Sequence, residues 1–227
     1  MQPFQITQQG TSEYAVRQNR VLRNTYALLG LSMVPTVLGA MAGIQLSLPL
    51  FGGFLGFVLF MGIAFAFFWG IEKTKNSGMG VVLLLGFTFF MGLMLSGILR
   101  VALGFSNGGS LIAMAAGGTG TIFLVLSGIA ATSKRDFSNL GKFLLAGAVL
   151  LLIAMVANIF FQIPALALTI SALAVAIFSA FILYDINRIV QGGEDNYITA
   201  TLAVYLDVYN VFVHLLNLLM AFAGERD

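Results

Sequence analysis

Seven apolar runs, each near the ~20 residues needed to cross a bilayer, constrain this chain more than any other feature. They lie at about 24 to 45, 50 to 71, 79 to 103, 110 to 131, 142 to 162, 164 to 189 and 199 to 223. With 59% hydrophobic and only 9% charged residues, the chain has too little polar surface to coat a water-soluble globule. The expected fold is therefore all-α, a polytopic membrane protein built as a seven-transmembrane-helix bundle. A barrel would show short alternating strands, and none is visible. The 26 glycines fit helices whose backbones approach closely in lipid.

The breaks between runs are chemically sensible. Pro49 opens the second span, Asn76-Ser77-Gly78 separates the second from the third, and Ser106-Asn107-Gly108-Gly109-Ser110 separates the third from the fourth. Pro164 marks a very tight turn between the fifth and sixth, and Gln191-Gly192-Gly193-Glu194-Asp195-Asn196 precedes the seventh. No linker is long enough to divide domains. The expected organisation is a polar cytoplasmic tail at 1–23 and a single transmembrane domain at 24–227. The tail does not read as a cleavable signal peptide, because the run that follows is of spanning length and carries no small-residue cleavage pattern.

Basic residues orient the bundle. With the N-terminus inside, Arg17, Arg20, Arg23, Lys73, Lys75, Lys134, Arg135, Lys142 and Arg188 are cytoplasmic, leaving Arg100 and Arg226 outside: nine of the eleven against two. Seven crossings then put the C-terminus in the periplasm. No cysteine is present and His214 is the one histidine, which excludes disulfides, thiol chemistry and a zinc cluster. No cofactor is required, and nucleic acid is not an expected partner.

Charges inside spans are costly, so they are read first as functional. Two carboxylates lie clearly inside: Asp185 in the sixth span and Asp207 in the seventh. Asp185 is expected roughly 6 Å from the cytoplasmic end of its helix and Asp207 roughly 12 Å from the start of its own. A short loop joins these antiparallel neighbours, so the two carboxylates are expected to face each other near the cytoplasmic mouth. In a low-dielectric site both cannot ionise cheaply, and they would share a proton, which makes a pH-sensitive latch. The alternative is that each hydrogen-bonds separately near a wet helix end. Arg188, one turn after Asp185, is a candidate counter-ion or a snorkelling anchor. Asn210 and His214 continue the Asp207 face as candidate pathway residues, with a hydrogen-bonded structural histidine as the blander reading. Asn158, Gln162 and Asn217 read mainly as interhelical packing. Arg100 and Trp69 read as interfacial anchors. Gly117-Gly118-Thr119-Gly120-Thr121 lacks the strand and lysine of a phosphate loop and reads as helix packing.

Ile182-Leu183-Tyr184-Asp185 with Asn187, and Val204-Tyr205-Leu206-Asp207 with Asn210 and Leu215-Leu216, resemble the paired motifs of the Bax inhibitor-1 family. The resemblance covers nearly the whole chain. Val21-Leu22-Arg23-Asn24-Thr25-Tyr26, Met155-Val156-Ala157-Asn158-Ile159-Phe160 and Gly192-Gly193-Glu194 further resemble its bacterial YccA-like subgroup. It implies an inner-membrane, pH-dependent cation leak, chiefly of calcium, gated by Asp185 and Asp207. Calcium would be a transported or weakly held ion, since two aspartates supply too few oxygens for tight binding. The chain departs from its channel-like relatives in two places. They carry an arginine near the cytoplasmic end of the second span that latches onto the pair, where Gly70-Ile71-Glu72-Lys73-Thr74-Lys75 offers Lys73 as a substitute without the bidentate fork. They also carry a glutamate within that span, and Phe51 to Gly70 holds no acid.

The subgroup implies a second function, a non-conducting modulator of the membrane-anchored protease FtsH that binds through its N-terminal tail. An intramembrane aspartyl protease would need Gly-x-Gly-Asp where Val204-Tyr205-Leu206-Asp207 stands, so no catalytic residue is expected.

Overall fold

A computed structural model describes residues 4–46, 53–133 and 135–224, with side chains described from residue 16 on. It is all-helical over these residues. The seven helices are α1 (Phe4–Leu46), α2 (Gly53–Thr74), α3 (Gly78–Leu103), α4 (Gly108–Thr132), α5 (Leu140–Phe161), α6 (Pro164–Val190) and α7 (Tyr197–Gly224). All seven contain a stretch long and apolar enough to cross a membrane. Pro49, Lys134 and Arg226 lie outside the described residues.

The largest departure from expectation is at the N-terminus. No break separates a tail from the first span, because α1 runs unbroken from Phe4 through the boundary expected at residue 24. Between Gln5 and Arg23 the sequence holds no proline and a single glycine, Gly10, so no strong breaker stops the helix at the membrane surface.

α1 and α3 make the closest helix pair. A Cβ built on Gly39 would fall 2.1 Å from the Phe89 carbonyl oxygen, and one on Gly92 would fall 2.1 Å from that of Thr36. Gly43, one turn beyond Gly39, faces the Ser96 side chain, which a Cβ there would strike. Lipid supplies no hydrophobic drive between helices, so this backbone-to-backbone approach is what lets dispersion hold the pair. α4 meets α7 through Gly118, whose Cβ would lie 2.8 Å from a Leu215 methyl. The glycine-rich run 117–121 is thus continuous helix at a packing seam.

α7 sits at the centre and packs against α1, α2, α3, α4 and α6. It is the least apolar of the seven spans, whereas α5, the most apolar, is also the least buried and faces lipid. A helix packed against five others tolerates polar groups that a lipid-facing one does not. The main core gathers Ile71, Leu84, Phe87, Ile186, Val204 and Tyr205 from α2, α3, α6 and α7. Tyr205 shares a 2.9 Å hydrogen bond with Thr36 that ties α7 to α1.

Candidate functional site

The C-terminal turn of α6 and the first turn of α7 set the geometry of the site. α6 ends in a Schellman cap: the Gly193 N–H donates to the Arg188 carbonyl at 2.8 Å and the Gly192 N–H to that of Ile189 at 3.1 Å. The cap needs a left-handed residue, which Gly192 provides at φ 76°. α7 then starts on Asn196, whose Oδ1 accepts from the N–H groups of Ile198 at 2.9 Å and Thr199 at 3.3 Å. The same side chain donates to the Lys75 carbonyl and to Asn76 Oδ1, each at 2.9 Å, so the α7 cap also clasps the α2–α3 turn.

A second clasp holds α6. Asn187, 1% exposed, accepts from the Phe137 N–H at 3.0 Å and donates to the Arg135 carbonyl at 3.1 Å, pinning the α4–α5 loop. In that loop the side-chain and backbone donors of Ser138 hold the Asp136 carboxyl below the usual carboxylate range. Near the other clasp, the Glu72 carboxylate pairs with the Lys75 ammonium and raises it above the ordinary lysine value.

Asp185 and Asp207 approach within side-chain hydrogen-bonding range between these clasps. Asp207 is 5% exposed, and its Oδ2 takes no hydrogen bond from a described residue. Asp185 stands five residues before the end of α6 and Asp207 ten after the start of α7, depths of roughly 7.5 and 15 Å. They meet because α7 begins about 7.5 Å farther out than α6 ends, a stagger the six-residue loop 191–196 spans easily.

No described basic side chain bridges the pair. Arg188 turns away from it, donating from Nε to the Gly193 carbonyl at 3.2 Å and lying 3.6 Å from Glu194, while its charge still reaches Asp185. Lys73 is placed elsewhere, its ammonium 4.1 Å above the Trp69 ring. An ammonium at the membrane surface gains from an aromatic face without paying the desolvation that the pair would demand.

The remaining polar candidates separate. Asn210 donates to the Leu206 carbonyl of its own helix at 2.8 Å. His214 lies one to two turns farther on and meets Ser171 of α6 through Nδ1 at 3.3 Å, beside Asn217, which donates to the same oxygen at 2.9 Å. Asn158 accepts from the Ile163 N–H at 2.9 Å and closes the tight α5–α6 turn together with Gln162, which adopts φ 52°. Among these, sequence reasoning missed the clasping roles of Asn187 and Asn196. An asparagine immediately before an apolar-periodic run is a cap signal, so Asn196 was findable; its second partner in the α2–α3 turn was not.

The family model described as inhibitor of apoptosis-promoting Bax1 matches residues 18–224. The modulator of FtsH protease YccA from Escherichia coli K12 is 43% identical over 201 residues, covering 88% of this chain and 90% of that protein. The inner membrane protein YccA of Escherichia coli strain CFT073 matches to the same extent. A membrane protein of Vibrio cholerae is 37% identical over 214 residues, covering 94% of this chain and 95% of its own length.

Proposed function

The chain belongs to the Bax inhibitor-1 family, and from that premise we propose that this multi-pass inner-membrane protein is a pH-sensitive cation leak gated by Asp185 and Asp207. The observation that carries the reading is the buried Asp207 carboxyl set against Asp185 with no basic side chain between them. Two adjoining carboxylates, one buried and one half-buried, cannot both hold a negative charge cheaply, so a shared proton keeps α6 and α7 together. Loss of that proton leaves two like charges a few ångströms apart, which must separate, admit water or recruit a cation. Calcium is the cation favoured by the chemistry, since hard divalent ions prefer carboxylate oxygen. The pair would be a transient station for a passing ion, too poor in ligands to retain it. With the basic loops inside, the pair would stand near the cytoplasmic mouth.

The test is calcium flux from liposomes holding the purified protein, followed across pH. Flux that rises with pH supports the leak, and absence of flux at every pH overturns it.

A second reading is favoured by similarity to a protein named as a modulator of FtsH protease. Here the N-terminal part of α1 would be the element a membrane-anchored protease engages, since it carries the chain past the first span as a continuous helix. Deleting Met1 to Thr11 should abolish any effect on the protease in cells while leaving insertion intact. Unchanged protease activity between full-length and truncated forms would count against it.

A further inference from the structure

At the end of the bundle away from the Asp185–Asp207 pair, α5, α6 and α7 line an open cavity of about 240 Å³ with Asn158, Ser171, His214 and Asn217 among its walls. A larger cavity of about 580 Å³, lined by Gln162 and Tyr209 among others, shares Asn158 and Ile159 with it. The two cavities adjoin at these residues, and the adjoining pair is termed the vestibule. The α7 wall of the smaller cavity, His214 and Asn217, lies on the same stripe as the aspartate: Asp207, Asn210, His214 and Asn217 follow at spacings of three, four and three, which keeps them on one helix face.

The hydrogen bonds around Ser171 determine the form of the imidazole. Ser171, 1% exposed, donates its single hydroxyl hydrogen to the Ala167 carbonyl at 2.9 Å. Its oxygen therefore serves as an acceptor for its other two neighbours, Asn217 Nδ2 at 2.9 Å and His214 Nδ1 at 3.3 Å. A neutral His214 must then carry its hydrogen on Nδ1 and keep a lone pair on Nε2, which makes no hydrogen bond to a described residue.

No charged side chain lines the cavity. On α5 and α6 the titratable groups Lys142, Tyr184, Asp185 and Arg188 all stand toward the basic end of the bundle. α4 has no titratable group, and on α7 the nearest are Tyr209 and Asp207, five and seven residues earlier. On the other helices packed against α7, the charged group toward this end is Arg100 in the last turn of α3, and no acid of the described helices stands beside His214.

We propose that His214, fixed by Ser171 and Asn217, is a second protonation site that controls access of cations to the vestibule. Neutral, it leaves the α7 wall uncharged and offers one lone pair. Protonated at Nε2 from vestibule water, it places a full positive charge in a low-dielectric funnel, where it repels an approaching cation by an amount worth about tenfold or more in occupancy. The Nδ1–H bond to Ser171 survives protonation, so the switch acts through charge without unlocking the helices. This rests on the cation-leak reading, and it adds acid suppression that is one-sided, arising on the vestibule side only.

The chain's one histidine makes the test clean. Protein carrying a histidine-free tag is labelled with ¹⁵N-histidine and placed in lipid nanodiscs. The nitrogen spectrum should show the Nδ1–H tautomer and a single reversible protonation at Nε2, and Ser171→Ala should mix the tautomers. In liposomes, acidifying the vestibule side should cut calcium flux about tenfold. His214→Gln should remove that suppression while leaving the pH response from the opposite side. An Nε2–H tautomer, an imidazole that never protonates while the protein stays folded, or equal acid suppression in His214→Gln overturns the proposal. Absence of flux at every pH overturns the leak and the filtering role with it, whereas the tautomer and protonation are still decided by the spectrum.

Discussion

The carboxyl groups of Asp185 and Asp207 meet across the α6–α7 seam, with Arg188 turned away toward Gly193 and Glu194 and Lys73 seated on Trp69. No described basic side chain bridges the two carboxyl groups, and Arg188 reaches Asp185 by its charge alone. Replacing Asp207 by Asn retains the shape and removes one ionisable group, so calcium flux in liposomes should lose its dependence on pH from the Asp185 side. A titration curve identical to wild type would defeat the gating role.

The α7 cap makes a separate mechanical prediction. Asn196→Ala removes the acceptor for two helix N–H groups and both hydrogen bonds to the α2–α3 turn. Loss of a cap alone costs about 1 kcal/mol, and the broken tether adds to it. Thermal unfolding in detergent should move down by several degrees, and an unchanged midpoint would show that the clasp holds nothing.

Packing of α1 on α3 predicts a contrast between two glycines. Gly92→Ala puts a methyl group 2.1 Å from the Thr36 carbonyl oxygen, which forces the two backbones apart, whereas Gly30→Ala meets nothing within 4 Å. The first should destabilise by about 1–3 kcal/mol or more, and the second should be neutral or gain up to about 1 kcal/mol from helix propensity. Yield of monodisperse protein and unfolding midpoint read both. Equal behaviour would mean the close approach is not needed.

Topology can be checked without purification. With nine basic residues on one face and two on the other, a reporter fused after Asp227 should read as periplasmic and one at Met1 as cytoplasmic. A cytoplasmic reading after Asp227 would remove one crossing from the bundle.

The sequence by itself determined the number of helices, nearly all their limits and which two carboxylates lie inside spans. Those properties are local: spanning length, a broken apolar run and a charge inside it can each be read within a window of some twenty residues. It did not reveal that α1 continues to Phe4, because polar composition marks the edge of the membrane and not the end of a helix. Only the tertiary structure decided which cation serves which acid. Arg188 and Lys73 were both within plausible reach of the pair in sequence, but a long flexible side chain goes where its head group keeps most of its hydration, to a loop carbonyl and an aromatic face at the surface. Only the structure, likewise, brought Asn196 to Lys75 and His214 to Ser171, since the stagger and rotation of helices are set by which backbones can approach, and Gly39, Gly92 and Gly118 settle that through contacts far apart in the chain.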